Sequence, residues 1–149
     1  MQADQQQIEA YIQRDPFARH LGARVEILSP GHSRVTLTIG EELVNFHGLT
    51  HGGVIFALGD IAFAAAANSF GQVAVALNVA INFLKPSREG DRLVAEARLR
   101  HEGGPTVLYA VTVKDARTGE LVARSEDLAY RRKSWFVGSH PASIRGEGL

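Results

Sequence analysis

Residues 52–67 read GGVIFALGDIAFAAAA, the most apolar stretch of the chain, and the one charged residue in it is Asp60. The run predicts a long helix from about Gly52 to Ser69, with Gly71 as a C-terminal cap. That helix is apolar nearly all round, so other structure must cover it on every side. An ionised carboxylate in such a setting loses its hydration and must find donors or take up a proton. The helical neighbours of Asp60 at i±3 and i±4 are Phe56, Ala57, Phe63 and Ala64, and none of them can pair with it. Asp60 is therefore expected to be a working carboxylate, with a pKa raised toward the range of a general base.

Downstream of this helix the apolar pattern changes to a period of two. Val73 to Leu84, Asp91 to His101, Val107 to Asp115 and Val122 to Tyr130 are strand-length runs separated by Gly- and Pro-containing turns. No helical pattern lies between them, so their spacing predicts an antiparallel meander. Upstream, Val25 to Ile39 predicts two strands around a Pro30-Gly31 turn, followed by a loop over 40–51 that carries Asn45, His47 and His51. Residues 4–14 predict a modest amphipathic helix with Ile8, Tyr11 and Ile12 on one face. The expected architecture is α+β, with one long central helix wrapped by a curved antiparallel sheet. One domain spans 1–130, and the basic tail 131–149 is expected to be extended or disordered. Trp135 and Phe136 in that tail either dock on a neighbouring subunit or lie in the disordered stretch.

Composition sets the bounds. At 149 residues the chain is one domain with room for a full core. Its 16 Lys+Arg balance 16 Asp+Glu, which argues against a nucleic-acid partner and removes the self-repulsion that favours monomers. The absence of cysteine excludes thiolate nucleophiles and Cys-ligated zinc. The N-terminus shows no basic-then-apolar signal pattern, and the apolar run is shorter than the roughly 20 residues of a membrane span. The expectation is a soluble, cytoplasmic protein with no membrane partner.

His51-Gly52-Gly53 falls where the loop enters the helix. Helix N-termini present unpaired N–H groups and a partial positive charge, and glycine lets a ligand oxygen approach them closely. Such a place suits a carbonyl oxygen that becomes an oxyanion. A glycine-rich helix cap accounts for the same residues. The spacing adds a constraint, because Asp60 lies about 10–12 Å further along the same helix. One substrate carbonyl cannot touch both places when each contact must be close to 3 Å. If both act on one carbon they come from different chains, which predicts an obligate dimer with shared sites.

The segments Asn45-Phe46-His47-Gly48-Leu49-Thr50-His51-Gly52-Gly53, Ala57-Leu58-Gly59-Asp60 and Ile81-Asn82-Phe83-Leu84-Lys85-Pro86 resemble the hot-dog-fold acyl-CoA thioesterases, and among them the phenylacetate-degradation branch. The resemblance covers roughly residues 7 to 130. It implies a hot-dog protomer, dimers with a continuous sheet that pair into tetramers, and hydrolysis of acyl-CoA thioesters without metal or cofactor. It also implies roles. Asp60 is the catalytic carboxylate; Gly52, with Gly53, supplies the backbone N–H that polarises the carbonyl; Asn45 and His51 line the same pocket. Asn82 stands where this branch often has aspartate and bears on the acyl pocket, as does Phe83. Gly59 stands where alanine is more usual. Lys85, Arg88, Arg92 and Arg117 are the candidates for holding the CoA phosphates, although turn-region cations are commonly just solvated.

Other features have plainer explanations. His47 and His51 are four apart, but they lie in a loop and no Glu follows His47, so a zinc pair is not expected. Glu41 and Glu42 are expected to be exposed turn residues. Two rival functions remain open in the sequence: a hot-dog hydratase or dehydratase, whose His-containing motifs are not visible, and a non-catalytic acyl-CoA-binding module.

Overall fold

The structure, a computed structural model, describes residues 2–137. Two short helices, α1 (Gln2–Ile12) and α2 (Pro16–Leu21), lead into a hairpin of β1 (Arg24–Ser29) and β2 (His32–Thr38). The long helix α3 (Gly52–Asn68) follows, and then β3 (Gln72–Phe83), β4 (Arg92–Gly103), β5 (Thr106–Asp115) and β6 (Leu121–Trp135). Helix α2 was not expected. Pro16 ends the pattern of the preceding helix, yet it also starts the next one, where Asp15 caps the N–H groups of Phe17 (3.0 Å) and Ala18 (3.2 Å).

All strand pairings are antiparallel, in the order β1-β2-β4-β5-β6-β3. This corrects the simple meander. β3 lies at the far edge beside β6, and β4 pairs with β2. The reason lies in the connection over 84–91, which is too long for a hairpin turn. Its Ser87 carbonyl accepts from Thr50 N–H (2.8 Å) and its Asp91 carbonyl from Ile39 N–H (2.8 Å), so it passes the helix start and delivers β4 to the open edge of β2.

The core lies between α3 and the inward face of the sheet. Val35, Leu37, Leu93, Val111 and Val113 pack against Ile55, Leu58, Ile61 and Ala62. Small residues on β4, Ala95 and Ala97, give the helix room to approach the sheet. Two buried serines tie the layers together: Ser33 Oγ donates to the Ala62 carbonyl, and Ser69 Oγ accepts from Gly31 N–H (2.7 Å) at the β1–β2 turn.

The sheet of one chain does not cover α3 on every side. Gly53, Phe56 and Ala64 form an exposed stripe, and Asp60 sits half-buried on it, at the spacing of one helix face. Alongside runs β3, an edge strand with exposed apolar residues, among them Leu77 (55%) and Phe83 (53%). The expectation of complete wrapping therefore fails for a single chain.

The boundary at 130 also shifts. β6 continues to Trp135, which pairs with Gln72, and Phe136 N–H donates to the Gly71 carbonyl (3.0 Å). The Phe136 ring stacks on Tyr11 of its own chain at 4.5 Å. Residues 138–149 of the expected tail lie outside the described residues. Among the described residues no helix is long and apolar enough to cross a membrane.

Candidate active site

The start of α3 is held by the loop before it. His51 is the N-cap residue, with extended backbone, and its Nδ1 accepts from Gly53 N–H at 3.0 Å. Its carbonyl takes the N–H groups of Val54 and Ile55. Gly53 is thus not an open donor: its N–H is already occupied by the imidazole. Gly52, the first helical residue, keeps an N–H with no partner among the described residues. Just before it, buried Thr50 is pinned by Ser87, whose hydroxyl donates to Thr50 Oγ1 (2.6 Å).

Asn45 folds the loop on itself. Its Oδ1 accepts from His47 N–H (2.9 Å) and Leu49 N–H (3.2 Å), an Asx turn that leaves the side-chain NH2 for other partners. Asn45, Thr50, Gly52, Phe83 and Lys85 line a cleft of ~280 Å3 at the helix start. A Cβ at Gly52 would stand 3.7 Å from the Phe83 ring, so the ring lies against the first helical residue. Lys85 Nζ reaches Glu120 Oε1 at 2.6 Å across the rim. Of the expected residues, Asn45, Gly52, Phe83 and Lys85 come together here. Asn82, exposed and opposite Arg124 in the β3–β6 pairing, does not line the cleft; nor do His51, Arg88, Arg92 and Arg117.

Asp60 is elsewhere. It lies eight residues beyond Gly52, about 12 Å along the axis, outside the helix-start cleft. Burial raises its pKa, and the charge of Asp15 raises it further. A second cleft of ~420 Å3 opens beside the next turn of α3, lined by Asp15, Ile61, Ala64, Asn68 and the stacked Tyr11 and Phe136. In a single chain the open N–H and the carboxylate thus stay apart, as the spacing requires. Sequence reasoning missed Asp15, Thr50 and Asp127. Asp127, buried on β6, feels the charge of Asp60.

Comparison with known proteins bears on the fold and the family. The sequence profile of the Thioesterase superfamily matches residues 47–122. The acyl-coenzyme A thioesterase PaaI of Escherichia coli is 39% identical over 142 residues, 95% of each chain. The structure of E. coli PaaI, from the phenylacetic acid degradation operon, superposes with a TM-score of 0.82 at 34% identity, covering 87% of this chain and 94% of that one. A mutant structure of the phenylacetic acid degradation protein PaaI from Thermus thermophilus gives 0.75 at 36% identity, covering 79% and 100%. Smu.793 of Streptococcus mutans, bound to acetyl CoA, gives 0.69 at 31% identity, covering 74% and 88%. With a long helix packed in a curved antiparallel sheet and these matches along most of its length, the chain belongs to the Thioesterase superfamily and has the hot-dog fold.

Proposed function

We infer that the chain is an acyl-CoA thioesterase of the PaaI type, and we propose that it hydrolyses phenylacetyl-CoA, its ring-hydroxylated form or related aryl thioesters to the free acid and CoA. One observation carries the reading. A half-buried carboxylate with a raised pKa and an open helix-start N–H lie on one helix, too far apart to share a carbonyl within a chain.

In the proposed site the two come from different subunits. The exposed stripe of α3 and the apolar edge strand β3 are the surfaces that pairing would bury, with the two β3 edges continuing one sheet and dimers pairing further into a tetramer. The thioester carbonyl oxygen accepts from Gly52 N–H, where the helix dipole also favours the developing negative charge. The partner's Asp60 attacks the carbonyl carbon or takes a proton from the attacking water. The C–S bond breaks, CoA leaves as a thiolate and is protonated, and water supplies the OH of the acid. Asn45 orients the water or the carboxylate through its free NH2. His51 acts from behind, by fixing Gly53 and so the direction of the first helical turn. Phe83 offers an apolar wall for the acyl group. Lys85 exchanges Glu120 for a CoA phosphate at the rim.

The names of the E. coli and T. thermophilus relatives support the choice of aryl substrates. The test follows CoA release with a thiol reagent across aliphatic and aryl thioesters. Phenylacetyl-CoA and hydroxyphenylacetyl-CoA should be turned over fastest, and Asp60→Ala should lower kcat by roughly 10²–10⁴ with the fold retained. No release from any member of the panel would sink the enzyme reading in favour of an acyl-CoA-binding module.

A further inference from the structure

The proposed reaction leaves the far end of the acyl group without a place. A thioester carbon carries three substituents, and the helix-start cleft of one chain takes two of them: the oxygen at Gly52 N–H and the CoA arm past Lys85 at the rim. The third leaves on the side of the carboxylate, along the chain that supplies Asp60. Ala64 is the next residue on that face of α3, one turn and about 6 Å past Asp60, and it is exposed. It stands in the wall of the ~420 Å3 cleft. A ring carried on one methylene reaches roughly 5 Å from its carbonyl carbon, given bonds of about 1.5 Å, and would lie beside Ala64.

The surroundings of the cleft suit hydrocarbon. Ile61 of α3, Val25 of β1 and Val75 of β3 supply apolar walls, and the small side chains of Ala64, Ala65 and Ala74 leave the room. The polar groups among them are engaged with the protein itself. Asn68 Nδ2 donates to the carbonyls of Ala64 (2.9 Å) and Ala74 (3.2 Å), and its Oδ1 accepts from Ala74 N–H (2.9 Å). Asp15 Oδ1 caps α2. At ~420 Å3 the cleft lies within the roughly 300–1,000 Å3 of small-molecule sites, and the ~280 Å3 helix-start cleft falls just short of it.

One wall is aromatic and comes from α1 and the end of β6. Tyr11 and Phe136 stack with ring centres 4.5 Å apart, and the Arg14 guanidinium lies over the Tyr11 ring, 4.4 Å from its centre. Phe136 N–H is tied to the Gly71 carbonyl, past the C-terminal end of α3, so the pair stands at the end of the cleft away from Asp60. Aromatic rings at such a place favour another ring through offset or edge-to-face contact, beyond the area it buries. We propose that this cleft is the acyl pocket and that Tyr11 and Phe136 are its specificity-determining residues, limiting how far an acyl group extends and favouring an aromatic one. The proposal rests on the reading of the chain as a thioesterase with Asp60 at the reacting carbon. Phe83 then borders the acyl group only where it leaves the carbonyl.

The test sets selectivity beside direct contact. Phe136→Ala lengthens the cleft, so the kcat/KM ratio of phenylbutyryl-CoA to phenylacetyl-CoA should rise about tenfold or more. Tyr11→Ala should move the ratio the same way. A gain on a longer substrate is not what a loosened fold produces. Ala64→Met fills the cleft beside Asp60 and should lower the ratio of phenylacetyl-CoA to acetyl-CoA by about tenfold. Independently of turnover, the ring protons of phenylacetamide, an uncharged stand-in for the acyl group, should show NMR cross-relaxation with the methyl groups of Ile61 and Ala64. Ratios unchanged in all three variants, or ring contacts on Phe83 and Leu84 in place of Ile61 and Ala64, would overturn the proposal and leave the thioesterase reading standing. Ring contacts at Ile61 and Ala64 in a protein that releases no CoA would support the cleft as the ring's site, and would locate the error in the chemistry given to Asp60.

Discussion

Asp127 and Asp60 both make the folded chain less stable at neutral pH, and the sign follows from the direction of their shifts. Each holds its proton more tightly folded than unfolded, so their contribution to stability is greatest below the ordinary carboxylate value and is lost as pH rises through the folded one. For Asp127 that window runs from 3.8 to about 6. The loss across it is on the order of 2–3 kcal/mol. Asp127→Asn should therefore match the wild type near pH 4 and exceed it by about 2 kcal/mol near pH 8 in urea unfolding. A stability difference independent of pH would mean that the carboxyl does not ionise in this range. Asp60 was legible in the sequence because its apolar neighbours make it conspicuous. Asp127 was not, since Arg124-Ser125-Glu126-Asp127 reads as an ordinary polar strand. The signal was its parity: counted from Ala123 and Ala129, Asp127 falls on the inward face. The occupation of Gly53 N–H by the His51 ring left no such signal, because it depends on a side-chain rotamer.

Helix α3 is the element that organises the site, and two of its glycines separate stability from chemistry. Gly59 is buried against β5, where an added Cβ would meet Val111 Cγ1 at 3.5 Å and Val113 Cγ2 at 3.9 Å, both ordinary contacts. With no clash to offset the gain in helix propensity, Gly59→Ala should stabilise the protein by about 0.8–1 kcal/mol, read from thermal or urea unfolding. A destabilised variant would show that the core beside Asp60 has no room for the methyl group. Gly52 is the first helical residue, the one position where proline fits a helix without losing an internal hydrogen bond. The preceding His51 already has the extended backbone (φ −61°, ψ 133°) that proline requires of its neighbour. Gly52→Pro thus deletes the proposed donor and little else. It should lower kcat by roughly 10²–10³ without loss of stability. Activity near the wild-type level would remove Gly52 from the mechanism. Most elements were legible from apolar period and turn residues alone. The place of β3 was not, because pairing with β6 is set by a connection passing beneath the helix start, and local turn chemistry does not encode that path.

At the scale of the molecule, the uncovered stripe on α3 and the exposed β3 edge belong to the same problem as the distance between Gly52 and Asp60. An apolar helix open on one side, next to an edge strand carrying Leu77 and Phe83, has surface to bury, and a site split along that helix has a missing half to find. A two-fold pairing of chains resolves both, because an isologous interface brings each helix start to the other chain's carboxylate. Replacing Leu77 with Lys should weaken the pairing and reduce turnover together, whereas a variant that stays folded and active as a monomer would refute the shared site. The sharper test mixes two inactive proteins. Asp60→Asn lacks the carboxylate, and Gly52→Pro lacks the donor. If subunits exchange at equal ratio, half of the dimers are mixed, and each mixed dimer holds one site with both defects and one with neither. Activity should then recover to about one quarter of the wild type. If both groups instead served a single-chain site, every site in the mixture would carry one defect, and exchange of subunits, verified by differential labelling, would restore nothing.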